Sequence, residues 1–350
     1  MTEPDFVVTG AGMHTPVGTT APATCAALRA GVSRLKLWPH FGFAGEALTA
    51  GAVAADGRDA AWVEKAVAIS SPVIHEALWQ AGLYAYTWHR RRVGLFLATP
   101  PATRAGVDPE READFRADLG DLWAELAGNA SIELVAQGQV GGALALVRAC
   151  EALARDELDV AVVAGFESHL DSVHLDVLLA EGRLHVGDRP GGIIPGEGAA
   201  AVVIETAESA RRRQAPVLAR LAAIALEQEP GAWTPQRPSQ AAALTRALRG
   251  ALVAEPAAIA CHRVIVDHTG ERWRVREWTL AEPRALGSLP TGWQLWHPVD
   301  SVGDLGPAFV PLALGWATQA FARRYAGPGG ILVAAMNDLG VRAALTLTPA

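Results

Sequence analysis

Short apolar runs alternate with longer segments of helical periodicity along almost the whole chain. Val93 to Ala98, Val160 to Ala164 and Ile331 to Ala335 are apolar at every position, the pattern of strands covered on both faces. Phe6 to Thr9, Val217 to Ala225, Arg263 to Val266 and Val341 to Leu347 are further strands, and Gly191 to Glu205 is a glycine-rich approach to a long buried one. Gly196 and Gly198 in it are expected to mark close backbone contacts or bends. Helices are expected over Ala21 to Ala30, Ala61 to Ala81 (one or two), Arg111 to Leu126, Gln240 to Leu252 and Leu305 to Tyr325. The densest signal is Ser131 to Glu167: an apolar strand, a sharp turn through Gln137, Gly138, Gln139 and Val140, a helix from Gly141 to about Asp156, and a second strand ending at Gly165. Ser168 to Arg189 reads as a loop with a helix, a lid or an interface.

Strand, helix and strand recur in both parts of the sequence, with no evident linker between them. The basic turn Thr206 to Pro216 is the best junction, dividing the chain into 1–210 and 211–350. The expected architecture is a duplicated α/β domain.

Composition narrows the function class. The chain has 350 residues, of which 50% are hydrophobic and 19% charged, which suits a globular α/β protein. A net charge of −7 argues against nucleic acid or an anionic membrane surface as partner. No apolar run approaches the ~18–20 residues needed for a membrane span. The opening MTEPDFVVTG lacks a basic segment followed by an apolar one, so no secretory signal is expected. Cys25, Cys150 and Cys261 are odd in number and far apart, which fits a reducing cytoplasm and neither a disulfide framework nor a CxxC metal site.

The turn at Gln139 is the first candidate for chemistry. An elbow between strand and helix points first-turn N–H groups at whatever fills the crevice, and in enzymes it presents a nucleophile. Gln139 is an amide and cannot attack at neutral pH. The Gly10-Ala11-Gly12 turn after the first strand lacks the third glycine and the acidic residue of a dinucleotide site, so no cofactor is expected there. His169, His174 and His185 with Asp171, Asp176 and Asp188 match no standard zinc spacing, and no metal is expected. Trp273, Trp278, Trp293 and Trp296 read most simply as core packing, with an interface as the alternative.

Three of these stretches carry a family resemblance. FVVTGAGMHTPVG resembles the first strand and turn of β-ketoacyl synthases, in the thiolase-like superfamily. VAQGQVGGALALVRACEALARDELDVAVVAGFES is similar to their nucleophile segment, and PGEGAAAVVIE to their G-E-G-A-A strand. The resemblance covers Phe6 to about Glu205 and continues more weakly to Leu347. It implies a thiolase-like αβαβα fold of two similar halves, usually dimeric.

The resemblance also implies losses. The catalytic cysteine position falls on Gln139. Cys150 lies three turns into the helix and is a small core residue. The first catalytic histidine position falls on Thr269 when the family's glycine is matched to Gly270, or on His268 in the other register. The lysine and second histidine positions fall on Asp300 and Asp304, and the gate turn on Asn337, Asp338, Leu339 and Gly340. Condensation needs a nucleophile to take the acyl group and donors for the enolate formed on decarboxylation. An ionised Asp304 would repel both the malonyl carboxylate and that enolate.

Three readings follow. Glutamine at this position is what chain-length-factor subunits of aromatic polyketide synthases carry, which implies a non-catalytic partner subunit in fatty-acid or polyketide-type acyl assembly. Its partners would be an active ketosynthase, as a heterodimer, or a second copy of the chain, with an acyl-carrier protein in reach. Glutamine also occurs in loading domains that decarboxylate malonyl groups, but those keep their histidines. The second reading is a synthase-fold scaffold in another assembly. The third is an acyltransferase of altered chemistry, with Asp267, His268 and Asp304 as its acid–base groups.

Overall fold

In the computed structural model the described residues are 5–42, 45, 47–53, 62–83, 91–106, 117, 120, 131–187, 191–230, 238–253 and 260–350. The first part of the chain runs β1 (Phe6–His14), α1 (Ala21–Arg29), β2 (Lys36–Phe41), β3 (Ala47–Ala50), α2 (Trp62–Gln80), β4 (Val93–Thr99), β5 (Ser131–Ala136), α3 (Gly141–Ala154), β6 (Val160–Ser168), α4 (Ser172–Ala180), β7 (Glu197–Thr206) and α5 (Ala207–Arg212). The second runs β8 (Ala219–Gln228), α6 (Ala242–Val253), β9 (Cys261–Val266), α7 (Arg272–Ala285), β10 (Gln294–Trp296), α8 (Val299–Val302), α9 (Phe309–Ala322), β11 (Gly330–Met336) and β12 (Val341–Thr348).

Ten strands form one hydrogen-bonded series, β10-β9-β11-β12-β8-β1-β7-β6-β4-β5, with β2 and β3 as a separate pair. The series reads the same from each end. β4 is parallel to β5 and β6, and β7 runs antiparallel between β6 and β1. β9 is parallel to β10 and β11, and β12 runs antiparallel between β11 and β8. Among the described strands the two five-strand sets pair through Phe6↔Leu221, Val7↔Arg220 and Val8↔Ala219.

Side-chain alternation builds the layers. Ala161 and Val163 of β6 face a central core with α1, α3 and α9, while Val160, Val162 and Ala164 face an outer core under α2. In the second set Ile331, Val333 and Ala335 of β11 join the central core, and Leu332, Ala334 and Met336 pack under α6 and α7. The result is helices, sheet, helices, sheet, helices, the layered α/β arrangement expected from the sequence.

Some elements differ from the sequence reading. β1 does not stop at Gly10-Ala11-Gly12 but runs through to His14. The glycines serve close approach rather than a turn: a Cβ on Gly10 or Gly12 would lie 2.0 Å from the carbonyl oxygen of Ala77 or Val73 in α2. The helix expected from Leu305 to Tyr325 is α9 alone, preceded by a 3₁₀ turn at Gly306–Ala308. β6 extends past Gly165 to Ser168. The helix expected over Arg111 to Leu126 and the position Asp188 lie outside the described residues, apart from 117 and 120. No described helix is long and apolar enough to cross a membrane.

Candidate functional site

Two turns meet at the centre of the molecule. Leaving β5, the chain reverses at Gly138, whose φ of +59° suits glycine, and makes a 3₁₀ turn over Gly138–Val140 before α3. Gly142 then lets α3 press against α9, since a Cβ there would lie 2.6 Å from Pro311 Cδ. In the second half, Gly306 at φ +46° opens the 3₁₀ turn before α9. Gln139 from the first turn and Asp304 from the second come together: Gln139 Nε2 donates to Asp304 Oδ2 at 3.4 Å.

Asp304 is buried, and its Oδ1 accepts the Gly306 N–H at 2.9 Å. Burial disfavours its charge, but the His169 ring, Arg274 and the Gly306 N–H outweigh that and hold the carboxyl at about 2. It is therefore an anion at neutral pH. His169 Nε2 lies 3.3 Å from Asp304 Oδ2 and 3.8 Å from Glu167 Oε2. Its other nitrogen, Nδ1, meets His174 Nε2 at 3.0 Å, and the rings stack with centroids 5.2 Å apart. Burial, with Arg104, His169 and Arg183 nearby, pushes the His174 pKa far below the usual histidine range, so that ring is neutral. Glu167 is clamped by the Arg104 guanidinium, which also donates to the Ser168 carbonyl at 2.8 Å.

Beside these groups is a cavity of about 230 Å³. Gln139, Glu167, His169 and His174 form one side of it, and Asn337, Asp338 and Leu339 the other. Arg183 ties that second wall down, bonding Glu271 at 2.7 Å and Asp338 at 2.8 Å. Behind it Arg274, fully buried, bonds Asp267 at 3.0 Å and Glu271 at 3.2 Å. Burial raises the Asp267 carboxyl to about 6 despite Arg274.

The cavity thus joins Gln139 and the turn Asn337 to Leu339, which Gly340 closes at φ +88°, while Asp304 is buried next to Gln139 and does not line it. Thr269 is buried beside it, its hydroxyl 3.2 Å from Glu271, and does not line it. Gly270 has φ +95° and would meet the Gly192 carbonyl at 2.4 Å if it carried a Cβ, so the turn requires glycine. His268 faces elsewhere, stacked on His297 and edge-on to Trp278. Asp300 is exposed at α8 beside a different pocket. Asp267, His268 and Asp304 therefore do not form one acid–base set.

The sequence presents Ser168 to Arg189 as a loop with a helix, a lid or an interface, and offers His169 and His174 only as metal candidates; it does not single out Glu167. One local signal was present. Asp171 caps α4, accepting the His174 N–H at 3.0 Å, which turns that residue back over His169. Among the described residues no cluster of histidine, cysteine and carboxylate side chains could hold a metal ion.

No protein-family model matches the chain, and no curated protein sequence matches it. Solved structures do match in fold. A type II polyketide synthase acyl-carrier protein in complex with its ketosynthase, bound to the hexaketide, superposes with TM-score 0.82 at 16% identity, over 99% of this chain and 100% of that one. The ishigamide ketosynthase/chain length factor gives 0.80 at 18% identity, over 99% and 100%. The ketosynthase of module 6 of the bacillaene synthase from Bacillus subtilis 168 gives 0.76 at 12% identity, over 99% and 72%. The chain has the thiolase-like fold of ketosynthases and chain length factors.

Proposed function

We propose that this protein is a non-condensing partner subunit for fatty-acid or polyketide-type acyl assembly. The observation that supports it is the pairing of an amide with a carboxylate, Gln139 with Asp304, at the elbow of a ketosynthase fold. In this reading Gln139 stands at the nucleophile position, Asp304 and Thr269 at the histidine positions, Asp300 at the lysine position, and Asn337 to Gly340 at the gate. An amide cannot form the acyl-enzyme. No thiol replaces it: Cys25, Cys150 and Cys261 are buried, and burial pushes the thiols of Cys150 and Cys261 up to about 12 and that of Cys25 higher still. A malonyl carboxylate ~4 Å from an ionised Asp304 would meet repulsion of about 4 kcal/mol at an effective dielectric of 20. The cavity then serves to shape or stop an acyl chain rather than extend it.

The test has two arms. Incubated with malonyl- and acyl-loaded carrier protein, the purified chain should show no acyl adduct by intact mass and no carbon dioxide release. Co-expressed with a thiol-bearing ketosynthase encoded beside it, it should co-purify as a stoichiometric complex. An acyl adduct or decarboxylation would favour the acyltransferase reading. Failure to pair with any such synthase would favour a scaffold in another assembly.

A further inference from the structure

A second cavity, of about 590 Å³, lies at the far end of the sheet series beside β10. That is within the ~300–1,000 Å³ typical of small-molecule sites. Its walls are aromatic. Trp296 of β10 stacks on the buried Trp316 of α9 with ring centroids 4.5 Å apart, and Tyr325 tilts against Trp296 at 5.8 Å. Two cations sit over these rings: the Arg263 guanidinium 5.5 Å from the Trp296 centroid and that of Arg29 4.5 Å from the Tyr325 centroid.

These arginines differ from the interior ones. Arg104, Arg183, Arg213, Arg274 and Arg342 are each paired with a carboxylate. Among the described residues, neither Arg29 nor Arg263 has a carboxylate within 4.0 Å. Arg263 donates Nη1 to its neighbour's carbonyl at 2.8 Å, but its Nε is buried with no hydrogen-bond partner. Burial lowers its pKa, as expected for a desolvated cation without a counter-charge. The carboxylate of the lining, Asp300, is exposed on the rim. A pocket that carries aromatic rings and two guanidinia without a paired carboxylate is complementary to a flat anion.

We propose that this pocket binds a planar aromatic carboxylate, its ring against Trp296 and Tyr325 and its carboxylate held by Arg263 and Arg29. The site is separate from the Gln139 cavity and does not depend on the function assigned to it.

Titration of the full chain with 2-naphthoate, followed by calorimetry or saturation-transfer NMR, tests this. Saturable one-to-one binding is expected, with neutral 2-naphthylmethanol weaker by about tenfold or more, the worth of charge-assisted hydrogen bonds. Arg263→Ala should weaken binding by about tenfold. Trp296→Leu should abolish it, while Trp296→Phe, which keeps a flat ring, should stay within about threefold. Melting curves establish that each variant is folded; if Arg263→Ala does not fold, Arg263→Gln and Arg29→Ala take its place. Absence of saturable naphthoate binding, equal affinity for the neutral analogue, or folded arginine variants that bind like the parent would each overturn the proposal. In that case the arginines merely cap exposed ring faces.

Discussion

The two halves solve the same geometric problem with the same backbone and end on different chemistry. Each delivers a strand, a glycine at positive φ, a 3₁₀ turn and a buried helix to the centre. In the first half the residue offered is Gln139; in the second it is Asp304. One is a neutral donor and the other a buried anion, and they satisfy each other across the junction. The comparison teaches that the duplicated frame sets where a side chain arrives, while one residue at each turn decides what it can do.

Each half is also braced by a buried ion pair. Arg342 of β12 reaches Glu277 of α7, and Arg213 reaches Glu205 of β7. Removing one member strands the other charge. Arg342→Ala and Arg213→Ala should each cost about 3–5 kcal/mol in denaturant melts, the largest effects expected here. If only one does, the halves are less equivalent than their strand order suggests.

The next effect lies at the centre. Asp304 has its folded pKa depressed from 3.8 to about 2, so its contribution is present above pH 3.8 and is lost as pH falls toward about 2. Asp304→Asn should therefore lower stability by about 2–3 kcal/mol at pH 7, and the gap from the parent should close in strong acid. Urea melts across that range measure it. Gln139→Glu makes the two turns alike in charge. It should cost about 1–2 kcal/mol at pH 7, with the new carboxyl titrating above the ordinary glutamate range by NMR. An unchanged stability would mean the two turns are not in contact in solution.

The smallest effect separates the second half from the centre. Burial, then His297 and Arg274, depress the His268 pKa from 6.5 to about 3. The unfolded chain takes up that proton first, so a penalty absent above pH 6.5 grows as pH falls from 6.5 toward 3. His268→Gln should make the acid limb of the stability curve shallower by about 1.4 kcal/mol per pH unit, with little change at pH 7.

Much of this was legible along the chain. Unbroken apolar runs marked β4, β6 and β11 as strands buried on both faces, and the Gln137 to Gly142 stretch marked the elbow. Gly196 did mark a close contact, its Cβ position lying 2.6 Å from the Asp304 carbonyl. Those signals are local: periodicity, glycine placement and turn chemistry act within a few residues. What periodicity could not say was that Gly10 and Gly12 sit inside β1, because the reason is the backbone of α2, more than sixty residues away in sequence. Nor could it say that Asp304 meets Gln139, that His169 stands between two carboxylates, or that Thr269 and His268 turn away from the cavity. Sequence alone determined the elements, their duplicated order and the absence of a sulfur at the elbow. Only the tertiary structure decided which polar groups share a cavity and how they are charged, because burial and pairing over long sequence separations set those charges.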